Sequence, residues 1–264
     1  LLGKDPSTVP HLKMKKNIEV SIIIVSYHSA QAVEKCRKSI GENQKYEIIV
    51  IDNTDHNIGF SAACNQGAQQ ASGKYLFFLN PDTEVANGCI EKLVRKIKSN
   101  ETYGIVAPQL STEAGQPYRS YSLQPKWYTF PLLHSFIWEY LPHSLQAHID
   151  TYLNDSLTVE KNVEAASGAA LLVEKNIFDK IGGFDTDYFL YWEDYDICKK
   201  ILNLNMKIRF VPDAKVMHSG GGATVDKKSA HALFQQSRFK FLKKRFGYIY
   251  ALIVEFFLRS SEAI

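Results

Sequence analysis

The chain has 264 residues, 45% of them hydrophobic and 22% charged, with a formal net charge of +3. That length holds one large core, so a single α/β unit with embellishments is expected. The composition excludes a disordered chain, and so small a charge gives no basic face for nucleic acid, so no nucleic-acid partner is expected.

Residues 1–13 lack the apolar core of a signal peptide, and Met14, Lys15 and Lys16 precede a clean strand like a natural start. Residues 1–13 are therefore expected to be an added leader or a disordered arm. Val20 to Val25 is a β-branched run suited to a strand buried on both faces. Residues 30–40 put Ala32, Val33, Cys36 and Ile40 on one helical side. Tyr46 to Ile51 reads as a second buried strand, 61–71 as a small-residue helix, and Tyr75 to Leu79 as a third strand. A helix over Ile90 to Ile97 and a short strand over 104–107 follow.

Strands alternating with helices imply a mostly parallel sheet with helices on both faces and right-handed crossovers. Ligands of such sheets bind outside the carboxyl ends of the strands. Ser26 and Tyr27 end the first strand, Asp52 the second, and Asn80-Pro81-Asp82 the third, so these three clusters are expected to face one crevice.

Residues 115–160 break the alternation with eight aromatic residues, from Tyr118 to Tyr140, and four prolines. They read as an insertion over the sheet, either a wall or lid of the site or extra packing. A strand then runs from Glu164 through Val173, a short helix ends at Gly182-Gly183, and the acidic aromatic segment Tyr188 to Asp196 leads into a helix to about Leu202. Residues 207–211 form a last strand, His218 precedes the run Gly220 to Gly222, and 229–246 is a basic helix. The boundaries expected are thus an arm over 1–13, a core unit over 14–228 and a C-terminal basic amphipathic segment over 229–264. No stretch reaches the roughly 18–20 apolar residues that span a bilayer. Cys36, Cys64, Cys89 and Cys198 form no C-x-x-C pair and sit in apolar or helical stretches, which points to buried thiols in a reducing, cytoplasmic setting.

Six residues carry candidate chemistry. Asp82, in a tight turn after a strand, can hold Mg²⁺ or Mn²⁺, hard cations that take oxygen ligands and bridge phosphates; Asn-Pro-Asp-Thr is equally a good turn sequence. Asp52 can accept from the imide N–H of a pyrimidine, and Tyr27 can stack on the same base or pack against the next helix. Glu193 and Asp194 open a helix, where acids suit the dipole anyway, but Phe189, Tyr191 and Trp192 beside them make a poorly solvated setting that raises carboxyl pKa values toward general-base work. Asp194 is the expected base and Glu193 its alternate. His218 can add a metal ligand or serve structure alone.

The stretches Val20–Tyr27, Ile48–Asn53, Asn57–Phe60 through Asn65–Gly67, Phe77–Asp82, Ser167–Val173, Gly182–Lys200 and Val211–Gly222 resemble the family 2 inverting glycosyltransferases, within them the bacterial rhamnosyltransferase-like group. The specific signal is the combination of Leu79-Asn80-Pro81-Asp82, Gly183-Phe184-Asp185 and Tyr191-Trp192-Glu193-Asp194. The resemblance implies a GT-A-like fold and a nucleotide-sugar donor, held by Ser26, Tyr27, Asp52, Asn65 and Asn80. It further implies a metal at Asp82 and His218, Asp194 as base, and Trp192 and Gly168 on the acceptor side. It suggests dTDP-rhamnose as donor and a lipid-linked saccharide as acceptor. Two departures stand out: Asn80 replaces the first acid of the D-x-D-type motif, and the stretch from Asp52 to Asn57 is short, as though a strand were omitted.

The C-terminal part mixes Arg238, Lys240, Lys243, Lys244 and Arg245 with aromatic residues, followed by an apolar run from Tyr248 to Leu258. It reads either as an interfacial segment on the inner face of a membrane, or as a helix packed on the core with solvated lysines. Sugar nucleotidyltransferases need a Gly-rich basic loop after the first strand, and Ser26-Tyr27-His28-Ser29 has neither Gly nor Lys. UDP-hexose transfer and a catalytically silent nucleotide-sugar-binding module remain the alternatives.

Overall fold

A computed structural model describes residues 17–220 and 227–262. The proposed arm over 1–13, Met14 and the Gly221-Gly222 part of the glycine run lie outside these residues. The first half runs β1 (Val20–Ser26), α1 (Ala30–Ile40), β2 (Tyr46–Asp52), α2 (Phe60–Gln70), β3 (Tyr75–Leu79), β4 (Thr83–Val85), α3 (Cys89–Lys98) and β5 (Tyr103–Ser111). The insertion holds β6 (Pro117–Tyr118), β7 (Tyr121–Ser122), α4 (Phe130–Leu133), α5 (Ile137–Tyr140) and α6 (His143–Ile149). Then come β8 (Lys161–Val163), β9 (Ala165–Ala166), β10 (Ala170–Glu174), α7 (Lys175–Lys180), α8 (Glu193–Asn203), β11 (Lys207–His218), α9 (Lys227–Phe246) and α10 (Tyr248–Glu262).

The main sheet has the order β2-β1-β3-β10-β5-β11-β4, with β6 on β5 and β8 on β11. Strands β2, β1, β3, β5 and β11 run one way, and β10 reverses between β3 and β5. The alternation of side chains along a strand divides the core into two layers. Ile23, Val25 and Phe78 pack with Ala63 and Cys64 of α2, Phe178 of α7 and Ile197 of α8. Ile22, Ile24 and Phe77 face the other way, onto Val33 and Cys36 of α1 and Ile90 and Leu93 of α3. All four cysteines are buried free thiols.

The structure corrects three expectations. Strand β2 is the sheet edge, with Val50 36% exposed, because no described strand pairs beyond it. The stretch Glu164–Val173 is not one strand but β9 and β10 separated by the Ser167–Ala169 crossing. The last strand extends far past Val211, to His218, across an irregularity between Val211 and Lys215.

The C-terminal helices form a third core with the insertion. Phe241 and Leu242 of α9 and Ala251, Val254 and Leu258 of α10 pack on Phe130, Tyr188 and Trp192. Arg238, read from the sequence as part of a surface basic cluster, is instead 2% exposed and ion-paired through Nε to Glu255 Oε1 at 2.6 Å. Lys240 donates to the Asp187 carbonyl at 2.8 Å, and Lys244 pairs with Asp185 and Asp187 at 2.5 Å each. Among the described residues, no helix is long and apolar enough to cross a membrane.

Candidate active site

The carboxyl ends of β1, β2 and β3 do open onto one region, which is divided into two adjoining lobes. A lobe of about 410 Å³ is lined by Tyr27, Asn53, Asn80, Asp82, Tyr191 and His218, among others. A second, of about 790 Å³, is lined by Ser26, His28, Lys35, Asp52, Thr54 and Asp82. Ser29, Pro81 and Asp82 border both. Asp52 and Tyr27 thus face neighbouring lobes rather than one shared pocket.

Asp82 and His218 meet because of strand pairing. Thr83 of β4 lies opposite His218 at the end of β11, and Ser219 N–H donates to the Asp82 carbonyl at 3.1 Å. His218 Nε2 comes within 3.4 Å of Asp82 Oδ1. Its other nitrogen, Nδ1, is 2.8 Å from the Tyr118 hydroxyl. Tyr118 reaches it because β6 folds back on β5, which runs beside β11. A second partner on the far ring nitrogen fixes imidazole orientation in the manner typical of metal-bound histidines. One carboxylate and one imidazole, both largely enclosed, fit a cation that takes its other ligands from phosphate oxygens and water. Among the described residues no cluster of three or more such side chains exists, so a cation here would depend on the ligand for the rest.

The second-strand turn is held by side chains. Thr54 N–H donates to Asp52 Oδ1 at 3.0 Å, and with the Thr54 hydroxyl this holds the exposed Asp52 carboxyl below its ordinary pKa. Asn53 is 3% exposed and binds both Asn57 Oδ1 (2.9 Å) and Ile58 N–H (3.0 Å), bracing the loop to α2. Gly59 then takes φ +87°, and Phe60 N–H donates to the Phe189 carbonyl at 2.7 Å. A Cβ on Gly59 would stand 2.8 Å from that same carbonyl oxygen, so only glycine fits this crossing.

Asp194 lines neither lobe. It sits behind Asn80: Gly168 N–H donates to Asp194 Oδ2 at 3.2 Å, and the next residue, Ala169, accepts from Asn80 N–H at 3.0 Å. Burial raises the Asp194 pKa, while the Gly168 and Tyr195 amides pull it back down. Glu193 is buried, with Oε2 lacking a hydrogen-bond partner, and is pushed up to about 8 by burial first and by Asp194 second. The turn delivering them is strained: Tyr191 and Trp192 have φ of 70° and 72°, a left-handed conformation costly for bulky side chains.

Two expected contacts take another form. Asn65 does not line the lobes; its amide donates to the Phe184 carbonyl (2.8 Å) and accepts from Phe184 N–H (2.9 Å), which pins the Gly182–Phe184 turn. Trp192 is 3% exposed, stacked on Tyr195 and packed on Phe130 and Phe241, so it supports the site from behind and offers no wall to an acceptor. Tyr118 and Asn53 were not singled out in the sequence. Tyr118 belongs to an irregular aromatic insertion, and Asn53 has the form of ordinary loop chemistry.

Residues 53–157 match the model of Glycosyl transferase family 2. The chain is 24% identical over 226 residues to the rhamnosyltransferase WbbL of Escherichia coli (strain K12), covering 75% of this chain and 83% of that protein. It is 25% identical over 235 residues to the N-acetylglucosaminyl-diphospho-decaprenol L-rhamnosyltransferase of Mycobacterium tuberculosis, covering 84% and 75%. Over that match the chain is similar to the family 2 glycosyltransferases. Both relatives are rhamnosyltransferases, and the resemblance of this glycosyltransferase is to that group. The fold of the glycosyltransferase is GT-A-like: it superposes on GalNAc-T7 crystallised with UDP, GalNAc and Mn²⁺ (TM-score 0.55, 21% identity), covering 78% of this chain but only 44% of that one. It also superposes on S. aureus TarS 1–349 in complex with UDP (TM-score 0.51, 12% identity), covering 94% and 72%.

Proposed function

We propose that this glycosyltransferase moves rhamnose from dTDP-rhamnose to a hydroxyl of a lipid-linked saccharide, with inversion. The observation that carries the reading is the convergence of Asp82, His218 and Asn80 at the strand ends, with the Asp194 carboxyl directly behind Asn80. The rhamnosyl donor and lipid-linked acceptor are drawn from the two relatives whose names carry them.

In this reading the donor lies across the wall shared by the two lobes. Its pyrimidine is at Asp52 and Ser26, its diphosphate at Asp82 and its sugar toward Asn80 and Tyr191. Asp82 and His218 would hold Mg²⁺ or Mn²⁺, which when bound neutralises charge on the departing diphosphate. Asp194 receives the proton of the acceptor hydroxyl, whose oxygen bonds to the anomeric carbon as the bond to phosphate breaks. The nucleoside diphosphate leaves with that electron pair, and the configuration inverts. Glu193 stays protonated beside the base, so only one carboxylate of the pair carries charge. Asn65 and Trp192 position the 182–194 segment.

Thymine and uracil present the same imide edge to Asp52, so a UDP-hexose is the second reading. The test is transfer from dTDP-rhamnose and from UDP-hexoses to a prenyl-diphosphate-linked saccharide, with product configuration read by NMR. Asp194→Asn is expected to lower kcat by about 10²–10⁴-fold with donor binding retained, and EDTA to abolish turnover. Retained configuration, or full turnover in Asp194→Asn, defeats the mechanism; transfer from a UDP-sugar alone replaces the donor.

We further propose that α10 rests on a membrane surface, at the cytoplasmic face. Ile249, Ile253 and Phe256 are 74%, 64% and 78% exposed along one side of α10. The Tyr250 hydroxyl donates to the Trp127 carbonyl at 2.6 Å, which brings the exposed Trp127 and Tyr128 of the insertion alongside. The stripe, not the basic cluster, is the contact in this reading. Each apolar side chain moved out of water there contributes about 1.5–3 kcal/mol.

A further inference from the structure

A further cavity, of about 420 Å³, lies between α8 and α9 on the side of α8 away from Asp194. Residues two apart on a helix point about 200° apart, so Asp194 turns toward Gly168 while Asp196 enters this cavity. Four cations line it, Lys199 and Lys200 from α8 and Lys244 and Arg245 from α9, against the single acid Asp196. Two of the cations are already matched: Lys200 lies 3.1 Å from Asp196 Oδ2, and Lys244 pairs with Asp185 and Asp187. Lys199 and Arg245 have no ion pair among the described residues, and they stand close enough for Arg245 to add to the burial that lowers the Lys199 pKa.

Donors in this cavity also lack partners. Tyr188 is 0% exposed, and its hydroxyl has no hydrogen-bond partner among the described residues, although the residue lines the cavity. Arg245 Nε is buried in the same condition. Buried donors and two adjacent cations that form no ion pair with their nearest acids, Asp196 for Arg245 and Glu164 for Lys199, are what a small multivalent oxyanion satisfies, because it brings negative charge and several acceptor oxygens at once. We propose that the α8–α9 cavity is a second binding site for a phosphate group, with Lys199 and Arg245 as its charge partners and the Tyr188 hydroxyl as a further donor. Neither cation lines the donor lobes, so the site stands apart from the transferase reading.

The test is titration of the full chain with inorganic phosphate in EDTA, so that no cation anchors phosphate in the donor cleft. Binding is followed by reductive methylation of lysines, read by mass spectrometry. Saturable protection of Lys199, with Lys35 beside the donor lobe unchanged, is expected, and Arg245→Gln should weaken it about tenfold. Lys199→Gln, on the half-exposed α8 side chain, is the second variant, read by calorimetry because it removes the labelled group. A parallel arm offers phosphatidylcholine vesicles with or without phosphatidylglycerol. Vesicle binding that needs phosphatidylglycerol and falls in both variants assigns the group to a lipid headgroup. Phosphate protection with vesicle binding unchanged by the variants assigns it to a soluble ester, and both effects together give one site open to either. If neither variant weakens binding of phosphate or of anionic vesicles, the proposal is overturned.

Discussion

Glu193 and Asp194 are consecutive carboxyls at the start of α8, and the chain gives them opposite surroundings. Asp194 receives two amide donors, whereas Glu193 receives none on Oε2 and is enclosed beside Cys64. The Glu193 pKa is therefore raised from 4.5 to about 8. The folded state then holds a proton that the unfolded state releases, so this group's contribution is fully present below about pH 4.5 and is lost as pH rises through about 8. Glu193→Gln keeps the neutral form at every pH. The melting-temperature difference, variant minus wild type, should grow steadily from pH 5 to pH 8.5, by a few degrees on the scale of about 2–4 °C per kcal/mol. A difference that stays flat across that range would show Glu193 to be ionised throughout. Neither carboxyl's role was distinguishable in the sequence: adjacent acids at a helix start are alike until the donors around each are known.

At the scale of elements, the site depends on two crossings. Gly59 lets the loop before α2 touch the Phe189 backbone, at a backbone angle open to glycine alone. Gly59→Ala should cost about 1–3 kcal/mol in stability and weaken nucleotide-sugar binding by displacing Tyr191; chemical denaturation and calorimetry check both. The α9–α10 hairpin depends on the Arg238–Glu255 pair, 2% and 5% exposed. Glu255→Gln leaves a buried guanidinium short of its counter-charge and should cost about 3–5 kcal/mol. The double variant Arg238→Met, Glu255→Leu should be less damaged than that single one, because it buries no charge. Urea denaturation giving the opposite order would place the pair among the surface bridges of small effect. The sequence offered Arg238 only as one cation among five; its partner lies 17 residues on, on the next helix, and no local pattern links them.

For the whole molecule, the C-terminal helices do two things with opposite faces. One face closes the third core over Tyr188 and Trp192, and so supports the turn into Asp194. The other leaves a stripe of large apolar side chains next to the aromatic insertion. The double variant Ile253→Asp, Phe256→Asp should lower binding to phosphatidylcholine–phosphatidylglycerol vesicles at least about tenfold, given about 1.5–3 kcal/mol for each apolar side chain. Turnover of a short, water-soluble acceptor should be unchanged. Co-sedimentation that is equal for both proteins would assign the stripe to something other than lipid.

The sequence by itself determined the alternation of strands and helices, the three strand ends that carry Tyr27, Asp52 and Asp82, and the family resemblance. All of these rest on local periodicity and on short motifs read along the chain. Only the tertiary structure decided that β2 is an edge, that Tyr118 braces His218, that Asn65 clamps Phe184 and that Arg238 is internal. Each of those facts is a meeting between segments distant in sequence. Such meetings are set by strand order and by which helix face finds a partner, and neither leaves a mark on any one stretch of residues.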